Sequence, residues 1–243
     1  MQSWGLTDVG CTRAQNQDAF LMEQLDKHTL LCVVCDGMGG AKSGNIASTL
    51  AADVFVQQIK QSWSGDYIQG NVDKMMKDAV KVTNFTVFDQ SQQFEEFTGM
   101  GTTLVAVLTN GKWATIVNVG DSRAYLIDRA GIHQVTVDHS VVQLMVSRGE
   151  LTPEQAKTYP GKSLITRAIG TETLVHCDIF HKKVTKGDYL LLCSDGLSNL
   201  MDDQEILFEV AHGQEKEKCC QRLLDIAKKR GAPDNVTSIL LSI

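Results

Sequence analysis

The sequence predicts an α+β fold in which long helices lie over antiparallel sheet, and three observations carry that prediction. Apolar runs at residues 104–108 and 113–119 are separated by Asn110-Gly111, a dipeptide suited to the left-handed central positions of a tight hairpin turn. A third run at 123–127 follows at once, so all three are expected to be antiparallel neighbours. Ile46, Ala47, Leu50, Ala51, Val54, Phe55 and Ile59 recur at helical spacing over residues 43–60, and Val72, Met75, Met76, Ala79, Val80, Thr83, Val87 and Phe88 repeat the pattern. Each set gives a helix one apolar face, which must cover something. Residues 30–35 and 189–193 are apolar without alternation, as strands buried on both faces are.

Taken in order, Trp4, Leu6 and Val9 partly alternate with polar residues, Gly10-Cys11-Thr12 reads as a turn, and residues 19–22 read as a second strand. The strand at 30–35 stops at Asp36-Gly37-Met38-Gly39-Gly40, and the first helix follows; a polar connection over 62–71 leads to the second. Residues 128–131 form a turn. Residues 138–170 differ in kind, with short helical pieces at 141–147 and 153–158, Tyr159-Pro160-Gly161-Lys162, and little core. Such an excursion between strands is expected to be a flap that meets ligands or partners. A strand at 189–193, helices near 202–212 and 215–230, and a strand at 236–243 complete what is expected to be one domain over 1–243.

A formal charge of −6 without a Lys/Arg cluster argues against nucleic acid or an anionic membrane as partner. No apolar run approaches the roughly 20 residues that span a bilayer, and the N-terminus has no signal-peptide pattern; a cytoplasmic monomer is expected. Seven cysteines make a disulfide framework unexpected in that compartment. Cys32 and Cys35 lie three apart on one strand, facing opposite ways, so they are not a zinc pair.

Asp36, Asp195 and Asp234 each stand at a strand boundary beside a Gly- or Pro-containing turn, which is how a rigid sheet can aim several carboxylates at one point. Converging carboxylates repel, so they call for cations, and an all-oxygen set favours Mg²⁺ or Mn²⁺ over zinc. Asp121, in Val119-Gly120-Asp121-Ser122-Arg123, is another acid beside glycine, which turn chemistry explains equally well. Arg13 and Asp18 share a loop with Asn16, either as a surface ion pair beside a turn or as functional groups.

Read together, Arg13 with Asn16-Gln17-Asp18, residues 34–40, Gly99-Met100-Gly101-Thr102-Thr103, residues 119–123, Cys193-Ser194-Asp195-Gly196 and Asp234-Asn235-Val236 form an ordered series. In this series the sequence resembles the metal-dependent serine/threonine protein phosphatases of the PPM, or type 2C, family in its bacterial form. The resemblance runs from Leu6 to Ile243. It implies a four-layer αββα sandwich, two packed antiparallel sheets flanked by helices. It also implies two divalent cations, Mn²⁺ or Mg²⁺, with Asp36 bridging both, Asp195 and Asp234 on the first and the Gly37 carbonyl on the second. Asp18 would hold metal-bound water, Arg13 would grip the substrate phosphate, and Asp121 would help hold a third, weaker ion. A water shared by two cations attacks phosphorus in line, and no protein nucleophile is needed. The implied substrates are phosphorylated proteins, with a cognate serine/threonine kinase and a part in signalling.

Two positions depart from the family pattern. Gln17 stands where many relatives carry an acid, and Met38 stands where eukaryotic relatives have His. Methionine cannot donate a proton, which leaves His139 or solvent as the proton donor. No cysteine is followed six positions later by arginine, so a cysteine-dependent phosphatase is excluded, and motifs for an aspartyl-phosphate route, nucleotide binding or a serine hydrolase are absent. The remaining alternative, a catalytically silent module that binds phosphoproteins, is disfavoured by the complete acid set.

Overall fold

The computed structural model describes residues 1–243, the side chains of residues 40–42 excepted. In chain order its elements are β1 (Gln2–Asp8), β2 (Asp18–Gln24), β3 (Leu30–Met38), α1 (Gly40–Ser62), α2 (Gln69–Gln93), β4 (Gly101–Thr102), β5 (Leu104–Thr109), β6 (Trp113–Val119), β7 (Arg123–Asp128) and β8 (Gly131–Gln134). There follow α3 (Val141–Ser147), α4 (Pro153–Thr158), β9 (Asp178–Lys183), β10 (Tyr189–Cys193), α5 (Asp195–Ser198), α6 (Asp203–His212), α7 (Cys219–Lys229) and β11 (Val236–Ser242).

The strands form two sheets, β1-β11-β10-β7-β8 and β2-β3-β5-β6-β9, with β4 paired to the end of β3. Every pairing is antiparallel. Alternate residues of each sheet meet between the two, Cys32, Val34, Val105 and Val107 from one and Leu126, Leu190, Leu192 and Ile239 from the other. The opposite face of the β3 sheet, with Leu31, Val33 and Cys35, is covered by Ala47, Ala51 and Phe55 of α1 and Met76 and Val80 of α2. The outer face of the β10 sheet packs on Ile206 and Val210 of α6 and Leu223, Leu224 and Ala227 of α7. Four layers result, αββα, as the resemblance implies. Cys32 and Cys35 do face opposite ways, and all seven cysteines are free thiols.

One pairing differs from expectation. β5 and β6 form the hairpin across Asn110-Gly111, but β7 leaves that sheet and pairs with β10 in the other. The crossing occurs at Gly120, whose φ of +106° breaks the strand and whose missing Cβ would lie 2.6 Å from the Thr103 methyl group. A run of three apolar segments carries no mark of which sheet the third joins. β8 and β9 carry no strand signal in the sequence, since their residues, Gly-Ile-His-Gln and Asp-Ile-Phe-His-Lys-Lys, show no clean alternation. Both are edge strands, where charged residues such as Lys182 and Lys183 discourage further pairing.

The two short helices at 141–147 and 153–158 fall where expected. Ser140 caps α3 through the Gln143 amide, and Thr152 and Gln155 form a capping box on α4 with Pro153 in its first turn. Neither helix has a buried residue. The excursion is tied at its base by bridges Ser140↔Ile165 and Thr102↔Ile169.

Candidate active site

The acids reach one place because strand ends from both sheets do. In the β2–β3 register Asp18 lies directly opposite Asp36. Asp195 opens α5 just beyond β10, and Asp234 immediately precedes β11, the strand paired to β10. Asp121 sits in the turn by which β6 passes to β7. A cavity of about 650 Å³ at this junction is lined by Arg13, Gln17, Asp36, Gly37, Met38, Thr103, Asp121, Asp195 and Asp234, with Ser163 and Ile165 contributed by the 138–170 excursion.

Five of the predicted acids are therefore neighbours, and their electrostatics say so. Burial and then the charges of Asp18, Asp195, Asp121 and Asp234 push the Asp36 carboxyl well above its usual range. Burial, then Asp195, raises Asp121 to about 7. Burial raises Asp18 to about 6, against the hydrogen bond from Ser194 that holds it down. Asp195 is raised by burial and by Asp234. All these shifts favour the protonated acid, the mark of carboxylates held together without a neutralising charge.

The acids face the cavity without closing on one point: among the described residues, no three acid, histidine or cysteine side chains stand close enough to grip an ion as they are. Asp234 is instead turned to Arg13, whose Nη2 donates to its Oδ2 at 2.8 Å, and Asp195 accepts from Asn199 Nδ2 at 2.9 Å. Arg13 is half exposed and has Asp234, not Asp18, as its ion-pair partner. Asp18 lies beneath the cavity floor at 8% exposure; Ser194 Oγ donates to its Oδ2 at 2.7 Å, while its Oδ1 is buried with no hydrogen-bond partner among the described residues.

Gly37 has a steric requirement at this point. A Cβ there would stand 2.0 Å from the Gly44 carbonyl oxygen and 2.5 Å from that of Gln17, so no larger residue fits between the end of β3 and α1.

This fold and acid arrangement have counterparts. The family described as Protein phosphatase 2C matches residues 12–225. The chain belongs to the protein phosphatase 2C family. It is 34% identical over 240 residues to the protein phosphatase PhpP of Streptococcus pneumoniae, covering 98% of this chain and 96% of that protein. The crystal structure of the serine/threonine phosphatase Stp1 from Staphylococcus aureus superposes with a TM-score of 0.90 at 36% identity, covering 100% of this chain and 94% of the other. The catalytic domain of the serine/threonine protein phosphatase PstP, solved in complex with two manganese ions, has a TM-score of 0.85 at 32% identity, covering 98% and 96%.

In this protein phosphatase 2C chain, several supporting residues carried no sequence signal of their own. Thr103 Oγ1 accepts the Asp36 amide N–H at 2.9 Å and lies 2.7 Å from Ser122 Oγ. Its backbone N–H donates to the Asp36 carbonyl at 2.8 Å. Asn235 Oδ1 accepts from the Gln17 amide at 2.8 Å, and its Nδ2 donates to the Val9 and Gln15 carbonyls, so one side chain holds the Arg13 loop against the Asp234 turn. These residues fall inside the quoted motifs, but their bonds join segments far apart in the chain. His139 is not the polar surface residue its loop position suggests. It is 6% exposed and does not line the cavity, and burial chiefly lowers its ring pKa, so it does not stand where it could protonate a leaving group in the cavity.

Proposed function

We propose that the protein is a divalent-metal-dependent phosphatase of phosphoserine and phosphothreonine in proteins, in which Asp36, Asp195, Asp234 and the Gly37 carbonyl hold two cations, Mn²⁺ or Mg²⁺. The observation that carries this reading is geometric: strand ends of both sheets bring Asp36, Asp121, Asp195 and Asp234 to the lining of one cavity, with Asp18 opposite Asp36, and burial with mutual repulsion raises the Asp36, Asp121 and Asp195 carboxyls accordingly. Such acids gain most from a cation, and oxygen donors alone suit Mg²⁺ or Mn²⁺. The partnerless Asp18 Oδ1 also fits, as a buried acceptor with room in its bonding for a water hydrogen. Bound cations would offset the carboxylate charge, acidify water and withdraw charge from the phosphoryl group.

The chain's own groups supply the rest. Arg13, exposed at the cavity mouth with a planar fork of donors, would leave Asp234 to take two phosphate oxygens. Asp18 would orient water from below, and Asp121 would lend a carboxylate to a third, weaker cation. Met38 offers no proton, so the leaving alkoxide would be protonated by solvent. Residues 138–170 would act as a flap over the cavity through Ser163 and Ile165, within a single catalytic domain over 1–243. No helix among the described residues is long and apolar enough to cross a membrane. The proposed setting is a cytoplasmic monomer that opposes a serine/threonine kinase in signalling. Phosphate release from phosphoserine and phosphothreonine peptides should require Mn²⁺ or Mg²⁺ and stop in chelator. Full release after exhaustive chelation would remove the reading.

A further inference from the structure

His139 is the only buried histidine among the described residues, and the chemistry above makes no use of it. It stands where the chain leaves for the flap and is bonded on both sides. Its backbone N–H donates to the Gly120 carbonyl at 3.0 Å, and its carbonyl accepts from the Thr166 N–H, on the segment by which the flap returns, at 2.7 Å. Its ring Nδ1 accepts from the Gly120 N–H at 3.1 Å. An Nδ1 that accepts from an amide carries no hydrogen, so the neutral ring keeps its proton on Nε2. That Nε2 lies 3.3 Å from Asp178 Oδ2 and 3.1 Å from Arg167 Nη1, and Arg167 Nη1 itself donates to Asp178 Oδ1 at 2.9 Å. Asp178 thus receives both donors.

Gly120 is the residue that turns β6 out of its sheet, and Asp121 follows it directly. The next residue, Ser122, is bonded to Thr103, which accepts the Asp36 amide. A continuous set of bonds therefore joins Asp36 to the Gly120–Asp121 turn and, through His139, to Thr166 and Arg167 of the flap. We propose that His139 is a positioning residue: its Nδ1 fixes the turn that aims Asp121, and its other bonds make that turn and the flap base one unit. The proposal rests on the reading of Asp121 as a cation ligand. Partners of this kind, one step behind a ligand, typically cost about 10–100-fold in metal affinity or activity when removed.

Two substitutions separate the halves of the ring. His139→Asn places an oxygen near Nδ1, able to accept from Gly120, but falls short of Asp178. His139→Gln reaches toward Asp178 and leaves the Gly120 N–H without its acceptor. The Gln variant should raise the Mn²⁺ concentration for half-maximal aryl phosphate hydrolysis about 10-fold or more, with the Asn variant within about twofold of wild type. In metal-free protein the Gly120 amide should exchange faster in the Gln variant alone. Equal Mn²⁺ midpoints in wild type and both variants, whatever their melting temperatures, would overturn the proposal, as would equal shifts in both. If neither variant folds, nitrogen NMR of metal-free wild type decides: an Nε2–H ring with a protected Gly120 amide supports it, and an Nδ1–H ring overturns it. The amide-exchange and NMR readouts need neither metal nor turnover, so they fail separately from the phosphatase reading.

Discussion

Replacing Asp36 by Asn removes one charge from the most crowded point of the acid cluster at nearly constant volume, and in metal-free protein at pH 8 it should raise the melting temperature. Asp18 and Asp36 are direct cross-strand partners, which sets their Cβ atoms about 5 Å apart. At an effective dielectric of about 20, two charges about 5 Å apart repel by about 3 kcal/mol. With about 2–4 °C per kcal/mol for a domain of this size, the upper bound on the gain is about 6–12 °C. The cluster avoids part of that repulsion by holding a proton, so the observed gain should fall below the bound. The pH dependence follows from the direction of the shifts. The folded pKa values of Asp36 and of Asp18, the latter about 6, lie above their unfolded values. The destabilising repulsion is therefore present above the folded pKa and fades as pH falls through it. Scanning fluorimetry in chelator should show a gain for Asp36→Asn at pH 8 that shrinks at pH 5. A lower melting temperature at pH 8, or the same gain at both pH values, would refute the charge argument. Added Mn²⁺ should reverse the ranking, because only wild type would gain binding energy in the native state.

Thr103→Val keeps shape but leaves the Asp36 amide without its acceptor, so chemical denaturation should show a loss of about 1–3 kcal/mol, with lower turnover; an unchanged midpoint would mean the bond is dispensable. Arg13→Ala should raise KM for phosphopeptide about 10-fold, the size of one charge-assisted hydrogen bond, with a smaller effect on kcat. Arg13→Lys should restore only part, and an unchanged KM would leave Arg13 as no more than the ion-pair partner of Asp234. Asp121→Ala should keep the fold, lower turnover and raise the Mn²⁺ requirement, more for peptide than for aryl phosphate; parity with wild type on both substrates would return Asp121 to a turn role.

The sandwich was legible where local rules and burial agree. Apolar periodicity located α1, α2 and the doubly buried β3 and β10, and Asn110-Gly111 located the β5–β6 hairpin, because each signal is contained in one short stretch. The sheet to which β7 belongs was not legible, since Gly120 decides it by fitting against Thr103 in three dimensions. The acids could be named from their turns, but that Arg13 would pair with Asp234, or that Asp18 would lie under the floor, depends on how the β1–β2 loop folds over β11. The burial of His139 is not legible for a similar reason. Its partners Gly120, Arg167 and Asp178 are distant in sequence, and a lone histidine in a loop carries no mark of burial.

The central claim is that Asp36, Asp195 and Asp234 hold a pair of divalent cations. Equilibrium titration of Mn²⁺ into metal-free protein by calorimetry tests it most directly, with Asp36→Asn in parallel. Two tight ions per wild-type chain, and loss of tight binding in the variant, are predicted. No tight binding to wild type, or the same stoichiometry and affinity in both proteins, would contradict it.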